Sequence, residues 1–209
     1  MIELYTWGTP NGRKISIALE EMGLAYEVRP VNIGKDEQFS PEFLAISPNN
    51  KIPAIIDRDT GLSVFESGAI LMYLGDKTGL FYPKEMPTRL RIHEWLMWQM
   101  GTVGPMLGRA HFFLRYNPGK APLADAWFSE EAKRIYSVLD NLLSEKPYMC
   151  GDYSIVDMAT FPWIARHPWQ KIDLNDYHHV RRWYREIAAR PAVQKGYKVP
   201  DPRSEMPMP

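Results

Sequence analysis

Ile2-Glu3-Leu4-Tyr5-Thr6-Trp7-Gly8-Thr9-Pro10-Asn11-Gly12-Arg13-Lys14-Ile15-Ser16-Ile17-Ala18-Leu19 opens the chain with a change of hydrophobic period. Ile2, Leu4 and Thr6 alternate, as on one face of a strand, whereas Ile15, Ala18, Leu19 and Met22 recur at i, i+3, i+4 and i+7, as on one stripe of a helix. Gly23 follows, a residue that readily takes the left-handed backbone with which helices end. The turn between strand and helix, Thr9-Pro10-Asn11-Gly12, holds no cysteine. Thiol chemistry at this turn therefore requires a thiol that arrives with a ligand.

Working outward, Tyr26, Val28, Pro30 and Val31 form a second extended segment, and Ala54-Ile55-Ile56 and Leu62-Ser63-Val64-Phe65 form two more. Asp59-Thr60-Gly61 between the last two reads as a hairpin turn. Ser67 precedes Ile70, Leu71 and Leu74, with Gly79 beyond, which predicts a helix starting at a hydroxyl cap on Ser67. Strand, helix, strand, loop, strand, strand, helix is the order of a thioredoxin-like α+β domain, expected over residues 1–80.

Composition shifts after Leu80, and residues 81–87 read as a linker through Tyr82-Pro83 to Pro87. Residues 88–198 carry helical periods and no convincing strand, so an all-α C-terminal bundle is expected. Pro87 suits the first turn of a helix through Leu90, His93, Leu96, Met97 and Met100, which Gly101, Gly104 and Pro105 should break or kink. Stripes at Ile135, Val138, Leu139, Leu142 and at Val180, Trp183, Tyr184, Ile187 predict two later helices. Ser154 and Asp157 have the spacing of a capping box, opening a helix whose Ile155, Met158, Ala159 and Pro162 face inward. The proline-rich tail, residues 199–209, is expected to lie over the surface or to be disordered.

The 209 residues are 45% apolar, enough for a substantial core, and 25 Lys+Arg balance 25 Asp+Glu with no basic block. That balance argues against nucleic acid or an acidic membrane as partner and leaves small-molecule chemistry. No apolar run approaches the roughly 20 residues that span a bilayer. The lone Cys150 rules out an intrachain disulfide, and the N-terminus lacks the layout of a signal peptide, so a soluble protein of the reducing cytoplasm is expected. Cys150 lacks a CxxC partner and reads as a buried or incidental thiol. Adjacent His178 and His179 cannot share a helix face and have no carboxylate or cysteine at ligand spacing, so no metal is expected.

Three separated motifs together make the chain, its last ten residues aside, resemble a cytosolic glutathione transferase. Ser47-Pro48-Asn49-Asn50-Lys51-Ile52-Pro53-Ala54-Ile55 resembles the loop whose proline is cis in that family, and Phe65-Glu66-Ser67-Gly68-Ala69-Ile70 resembles its γ-glutamyl-binding turn. The Ser154 to Asp157 capping box is the third motif. Thr9-Pro10-Asn11-Gly12, Asn49-Asn50, and the run from Trp98-Gln99-Met100-Gly101 through Gly104-Pro105-Met106-Leu107-Gly108 are similar to the bacterial nu class. The resemblance implies a homodimer that uses glutathione as co-substrate to reduce disulfides. A glutathione-conjugating detoxification transferase and a non-catalytic binding module of the same fold are the alternatives. Some nu-class members hold glutathione with an arginine early in the helix after the Pro122 region; here that stretch reads Ala126-Trp127-Phe128, a departure that bears on a second glutathione.

Individual positions have a physical reading beside the resemblance. Ser67 at a helix N-terminus favours an anion, so the α-carboxylate of glutathione fits there, and Glu66 can accept from the neighbouring α-ammonium. The resemblance implies that Ile52, before Pro53, pairs its backbone with the cysteinyl residue like an added strand. Lys51 by charge and Gln38 by hydrogen bonding are candidates for the glycyl end. A thiol of pKa ~8.5 lowered by about two units needs about 2.7 kcal/mol of preference for its thiolate. The Thr9 hydroxyl, the Asn11 side-chain or main-chain amides and the start of the first helix are the candidate donors, whereas Tyr5 reads as a packed strand residue. Trp98, Met106, Phe112 and Trp163 are candidates for the second-substrate pocket, with core packing as the other reading.

Overall fold

The computed structural model describes residues 1–209, which divide into two compact units. The first comprises Met1–Tyr82 with Ala189–Met206, and the second Pro83–Ala188 with Pro207–Pro209.

The first unit is built on a four-stranded sheet in the order β2-β1-β3-β4. β1 (Ile2–Thr6) runs parallel to β2 (Tyr26–Pro30) and antiparallel to β3 (Ala54–Asp57), which pairs antiparallel with β4 (Leu62–Phe65). Leu4 sits opposite both Val28 and Ile55, and it is fully buried with Ile2, as the alternation predicts. Tyr5 projects the other way, packs against Phe43 and donates its hydroxyl to Glu3. α1 (Pro10–Glu21) begins with Pro10 in its first turn and Thr9 as N-cap, the Thr9 hydroxyl accepting the Gly12 amide at 3.2 Å. It ends at Gly23, whose φ of 64° is the left-handed conformation expected there. A short α2 (Pro41–Leu44) interrupts the long loop, and α3 (Ser67–Thr78) closes the unit.

Ser67 is the first residue of α3, not its cap. The N-cap is Glu66, at φ 68° and ψ 116°, and it gives the helix no side-chain cap. Ser67 Oγ is instead engaged by Lys14 of α1, a long-range contact that no local spacing reveals.

The C-terminal boundary also differs from the expected 88–198. α9 (Pro191–Tyr197) packs on α1, with Arg13 donating to the Tyr197 carbonyl at 3.0 Å and Ser16 to the Gly196 carbonyl at 2.7 Å. Arg190 adds a two-pronged ion pair to Glu21 at 2.6 and 2.7 Å. A helical period says that a helix forms and nothing about which body it joins. A Cβ on Gly196 would lie 2.6 Å from Ile17 Cα, a backbone atom that cannot give way. Gly196→Ala is expected to lose about 3 kcal/mol and to lower the melting temperature by about 10 °C; a shift under ~1 °C would show that the two helices can separate at little cost.

The second unit is helical. α4 (Met86–Trp98) starts inside the expected 81–87 linker, because the Glu85 side chain caps it by accepting the Thr88 amide, with Pro87 in the first turn as predicted. Where Gly101, Gly104 and Pro105 are expected to break or kink the helix, the chain leaves regular α geometry without interrupting the helix. A π-helical turn over Gln99–Val103 leads into α5 (Gly104–Ala110) and a second π segment over His111–Tyr116. Pro105 falls in the first turn of α5, just after the wide turn, where a missing amide hydrogen is tolerated. Gly104 and Gly108 present a bare surface to Trp163, since Cβ atoms there would come within 3.6 and 3.4 Å of its ring. α6 (Pro122–Leu143) buries Ile135 and Leu139, as expected, together with Tyr136 and Leu143. α7 (Ile155–Ile164) is buried along its whole length, Pro162 included, and its capping box is present. α8 (His178–Ala188) buries the predicted Val180, Trp183, Tyr184 and Ile187. In the tail, Tyr184 and Arg185 donate to the carbonyls of Pro207 and Pro209.

Candidate functional site

A concave site of about 170 Å³ in the first unit is lined by Asn11, Ser47, Lys51, Ile52, Pro53, Phe65, Glu66 and Ser67. Six of the eight residues named from the sequence as catalytic or glutathione-binding thus meet in one place: Asn11, Lys51, Ile52, Pro53, Glu66 and Ser67. Each arrives on a different local device. Asn11 lies in the first turn of α1, where backbone amides lack helical partners. The Ile52-Pro53 bond is cis, in a loop organised by Ser47, whose carbonyl accepts the Asn50 amide at 2.9 Å and whose hydroxyl donates to the Lys51 carbonyl at 2.7 Å. Neither the amide nor the carbonyl of Ile52 is hydrogen-bonded within the chain, so both are open to an extended ligand. Glu66 and Ser67 stand side by side where β4 turns into α3.

Two of the named residues lie elsewhere. Thr9 caps α1 and does not line the site, so its hydroxyl serves the helix end from which Asn11 projects. Gln38 sits on a 3₁₀ turn over Glu37–Phe39, with its amide 3.4 Å from Asp36, and also lies off the lining. Tyr5, as read from the sequence, is a packing residue whose hydroxyl is spent on Glu3. Burial and the Glu3 charge push its phenol above the usual range, which makes it a poor partner for a thiolate.

Lys14 is a buried side chain behind the cleft that the sequence reading does not single out. It is 1% exposed, and its ammonium donates to Ser67 Oγ at 3.2 Å. Burial pulls its pKa down to about 7, partly opposed by the negative charge of Glu66. Standing next to the apolar stripe that begins at Ile15, a lysine in an amphipathic pattern reads as solvent-facing, so no local signal marks it.

In the second unit, Trp163 is core: it is 7% exposed, stacked on His111 at 5.7 Å and packed against Gly104 and Gly108. That packing is the core reading of Trp163. Trp98 makes an edge contact with Trp95, Met106 is half-buried, and Phe112 is 48% exposed against Phe113. A larger depression of about 640 Å³ at the start of α6 is lined by Ala121, Pro122, Leu123, Ala124, Trp127 and Phe128, none of which carries a group for acid, base or thiol chemistry. Cys150 is half-buried, and burial together with the Asp157 charge pushes its thiol up to about 12, so it is a weak nucleophile at neutral pH. No group of three or more His, Cys, Asp and Glu side chains is placed to hold a metal ion, and no helix is long and apolar enough to cross a membrane.

The family description "Glutathione S-transferase, N-terminal domain" matches residues 1–76, and "Glutathione S-transferase, C-terminal domain" matches residues 102–191. The disulfide-bond oxidoreductase YfcG of Escherichia coli (strain K12) is 48% identical over 199 residues, covering 92% of this chain and 93% of that protein. A glutathione transferase from Pseudomonas putida, solved with one glutathione disulfide bound per subunit, superposes with a TM-score of 0.90 at 41% identity and covers 95% of this chain and 91% of that one. A glutathione transferase from Burkholderia graminis, with two glutathione molecules bound per subunit, superposes at 0.89 and 41% identity, covering 97% and 89%.

Proposed function

Because the chain belongs to the glutathione S-transferase family through both of its halves, we propose that it is a glutathione-dependent disulfide-bond reductase. The observation that carries this reading is the meeting, in one small cleft, of a zwitterion-reading pair (Glu66, Ser67), an open backbone edge (Ile52) and a cysteine-free helix start (Asn11). A γ-glutamyl head group fits the first, a cysteinyl backbone the second, and the cysteine sulfur then lies at the third. Lys51 supplies charge for the glycyl carboxylate. Gln38, on the neighbouring turn, would have to reach from outside the cleft to share that task.

The chemistry follows from the absence of a usable protein thiol at the cleft. Asn11, through its side-chain or main-chain amide, donates to the ligand's sulfur, and the positive end of α1 favours its thiolate, with Thr9 holding the helix end in shape. The thiolate attacks one sulfur of a disulfide, forming a glutathione mixed disulfide and expelling the other sulfur as a thiolate. A second glutathione thiolate attacks the glutathione sulfur of that mixed disulfide, releasing glutathione disulfide and the second substrate thiol. Electrons come from two glutathione molecules, and Cys150 is not consumed. The relatives solved with glutathione disulfide or with two glutathiones per subunit support room for both partners of that exchange. YfcG supports the reaction class by its name. A homodimer fits the apolar face that α4 exposes through Met86, Leu90 and Met97, and the cytoplasm fits chemistry that needs reduced glutathione.

Purified protein supplied with glutathione is expected to reduce 2-hydroxyethyl disulfide far faster than it conjugates 1-chloro-2,4-dinitrobenzene. Equal or inverted rates would make it a conjugating transferase. Glutathione binding without any ionised thiol absorbance at neutral pH would make it a binding module.

A further inference from the structure

We propose that Ser47 is a positioning residue for the ligand: its hydroxyl holds the Lys51–Ile52 peptide in the orientation that offers the Ile52 amide to the cysteinylglycine half of glutathione. The inference rests on the reading of the cleft as a glutathione site.

Ser47 is 1% exposed and commits its main chain and its side chain within a few residues. Its amide donates to the Phe43 carbonyl at 2.8 Å, its carbonyl accepts the Asn50 amide at 2.9 Å, and its hydroxyl donates to the Lys51 carbonyl at 2.7 Å. The first bond ties it to α2, and the second closes a turn in which Pro48 takes the second position, the one its fixed φ suits. Asn50 then adopts φ 49°, a left-handed conformation that asparagine tolerates. The chain doubles back, and the Lys51 carbonyl meets the serine hydroxyl.

The effect falls on the other end of the same peptide. The Lys51 carbonyl and the Ile52 amide belong to one planar trans unit, in which the two groups point in opposite directions. Fixing the carbonyl on Ser47 therefore aims the Ile52 N–H away from Ser47, and the chain gives that N–H no acceptor. Pro53 has no amide hydrogen, so the Ile52 amide is the last backbone donor before β3 begins at Ala54. The Ile52 side chain is anchored in an apolar cluster with Val31, Phe43 and Ala54, while the residue lines the cleft. Rotation of the peptide before it is the freedom that remains, and the Ser47 hydroxyl removes it. A donor held in this way meets its ligand already ordered, so the ordering cost falls on folding and not on binding.

The test is a calorimetric comparison of glutathione with γ-glutamylcysteamine, which keeps the head group and the thiol and lacks the cysteinyl carbonyl and the glycine, on wild type and Ser47→Ala. Wild type is expected to bind glutathione ~100-fold more tightly than γ-glutamylcysteamine, the range of two hydrogen bonds of which one is charge-assisted. Ser47→Ala should bind glutathione ~10-fold more weakly and γ-glutamylcysteamine within about twofold of wild type, the loss of one hydrogen bond to the missing half. A general loosening of the cleft would instead weaken both ligands alike. KM for glutathione should rise ~10-fold with kcat at saturation within about threefold of wild type, because the lost contact is made equally in ground and transition states. Thiolate absorbance of the bound ligand should titrate as in wild type, since Ser47 acts on a backbone amide and not on the sulfur. Ser47→Thr, which keeps the hydroxyl, should hold glutathione within about threefold of wild type. Equal weakening of both ligands in Ser47→Ala, or no weakening of either, would overturn the proposal. So would a wild type that binds the two ligands equally, an outcome that needs no variant to fold. Failure of wild type to bind glutathione at all would instead remove the functional reading on which the inference rests.

Discussion

Asn11→Ala lowers glutathione-dependent disulfide turnover by ~10- to 1000-fold while the protein stays folded, the range expected for removal of a donor to developing or resident negative charge. Asn11 is the side chain from the α1 turn that lines the cleft, and no cysteine lies among the lining residues. Its effect should fall on the ionisation of the bound thiol. Ultraviolet absorbance of the glutathione thiolate, followed against pH with saturating ligand, should shift to higher pH in the variant. Thr9→Ala is expected to act differently, since Thr9 caps the helix and does not line the site. It should lose about 1 kcal/mol of stability, and a drop in turnover should follow from the displaced Asn11. Full activity in Asn11→Ala would place the thiol against main-chain amides alone.

Asp157→Ala is the substitution expected to damage the fold most. The carboxylate is fully buried and accepts four hydrogen bonds: from the Met149 amide at 3.1 Å, the Ser154 amide at 3.0 Å, the Ser154 hydroxyl at 3.1 Å and the Trp183 indole at 2.8 Å. It thus ties the loop before α7, the α7 cap and α8 to one residue. Burial pushes its carboxyl up to about 6, against the pull of those donors, so at neutral pH the group is an anion held by four partners. Alanine would strand donors on Met149, Ser154 and Trp183, all of them within the core. The loss should be about 3 to 5 kcal/mol, a fall in melting temperature of roughly 10 to 20 °C by calorimetry. Asp157→Asn should also destabilise, because its amide nitrogen would face a donor. A fall below ~3 °C in both variants would show that water replaces the carboxylate and that the motif is a local cap only.

Local signals carried far in this chain. The switch from period two to period 3.6 across Thr9-Pro10-Asn11-Gly12 marked β1 and α1, and Gly23 and Gly61 marked the turns in which they sit at positive φ. Ser154 and Asp157 were legible because a capping box is a contact between residues three apart. Ile52-Pro53 and Glu66-Ser67 were legible as motifs for the same reason. Errors fell where a residue's partner is remote in sequence. Ser67 reads as a cap because a hydroxyl before an apolar stripe has that meaning locally, whereas its Oγ is engaged by Lys14, 53 residues away. Pro105 predicts a break or a kink because proline disrupts regular helices, and the departure takes the form of a π turn just before it.

What the sequence determined by itself is the set of elements and the chemistry each can offer, since periodicity, caps and turns are settled by neighbours within a few residues. Tertiary structure alone decided which of those offers meet. It seated α9 on α1, 180 residues away, put Trp163 in the core against two glycines, left Thr9 and Gln38 outside the cleft, and set a buried ammonium behind Ser67. The physical reason is that burial and charge pairing depend on which surfaces come together in space, and a lysine costs nothing to place on a helix until another helix closes over it.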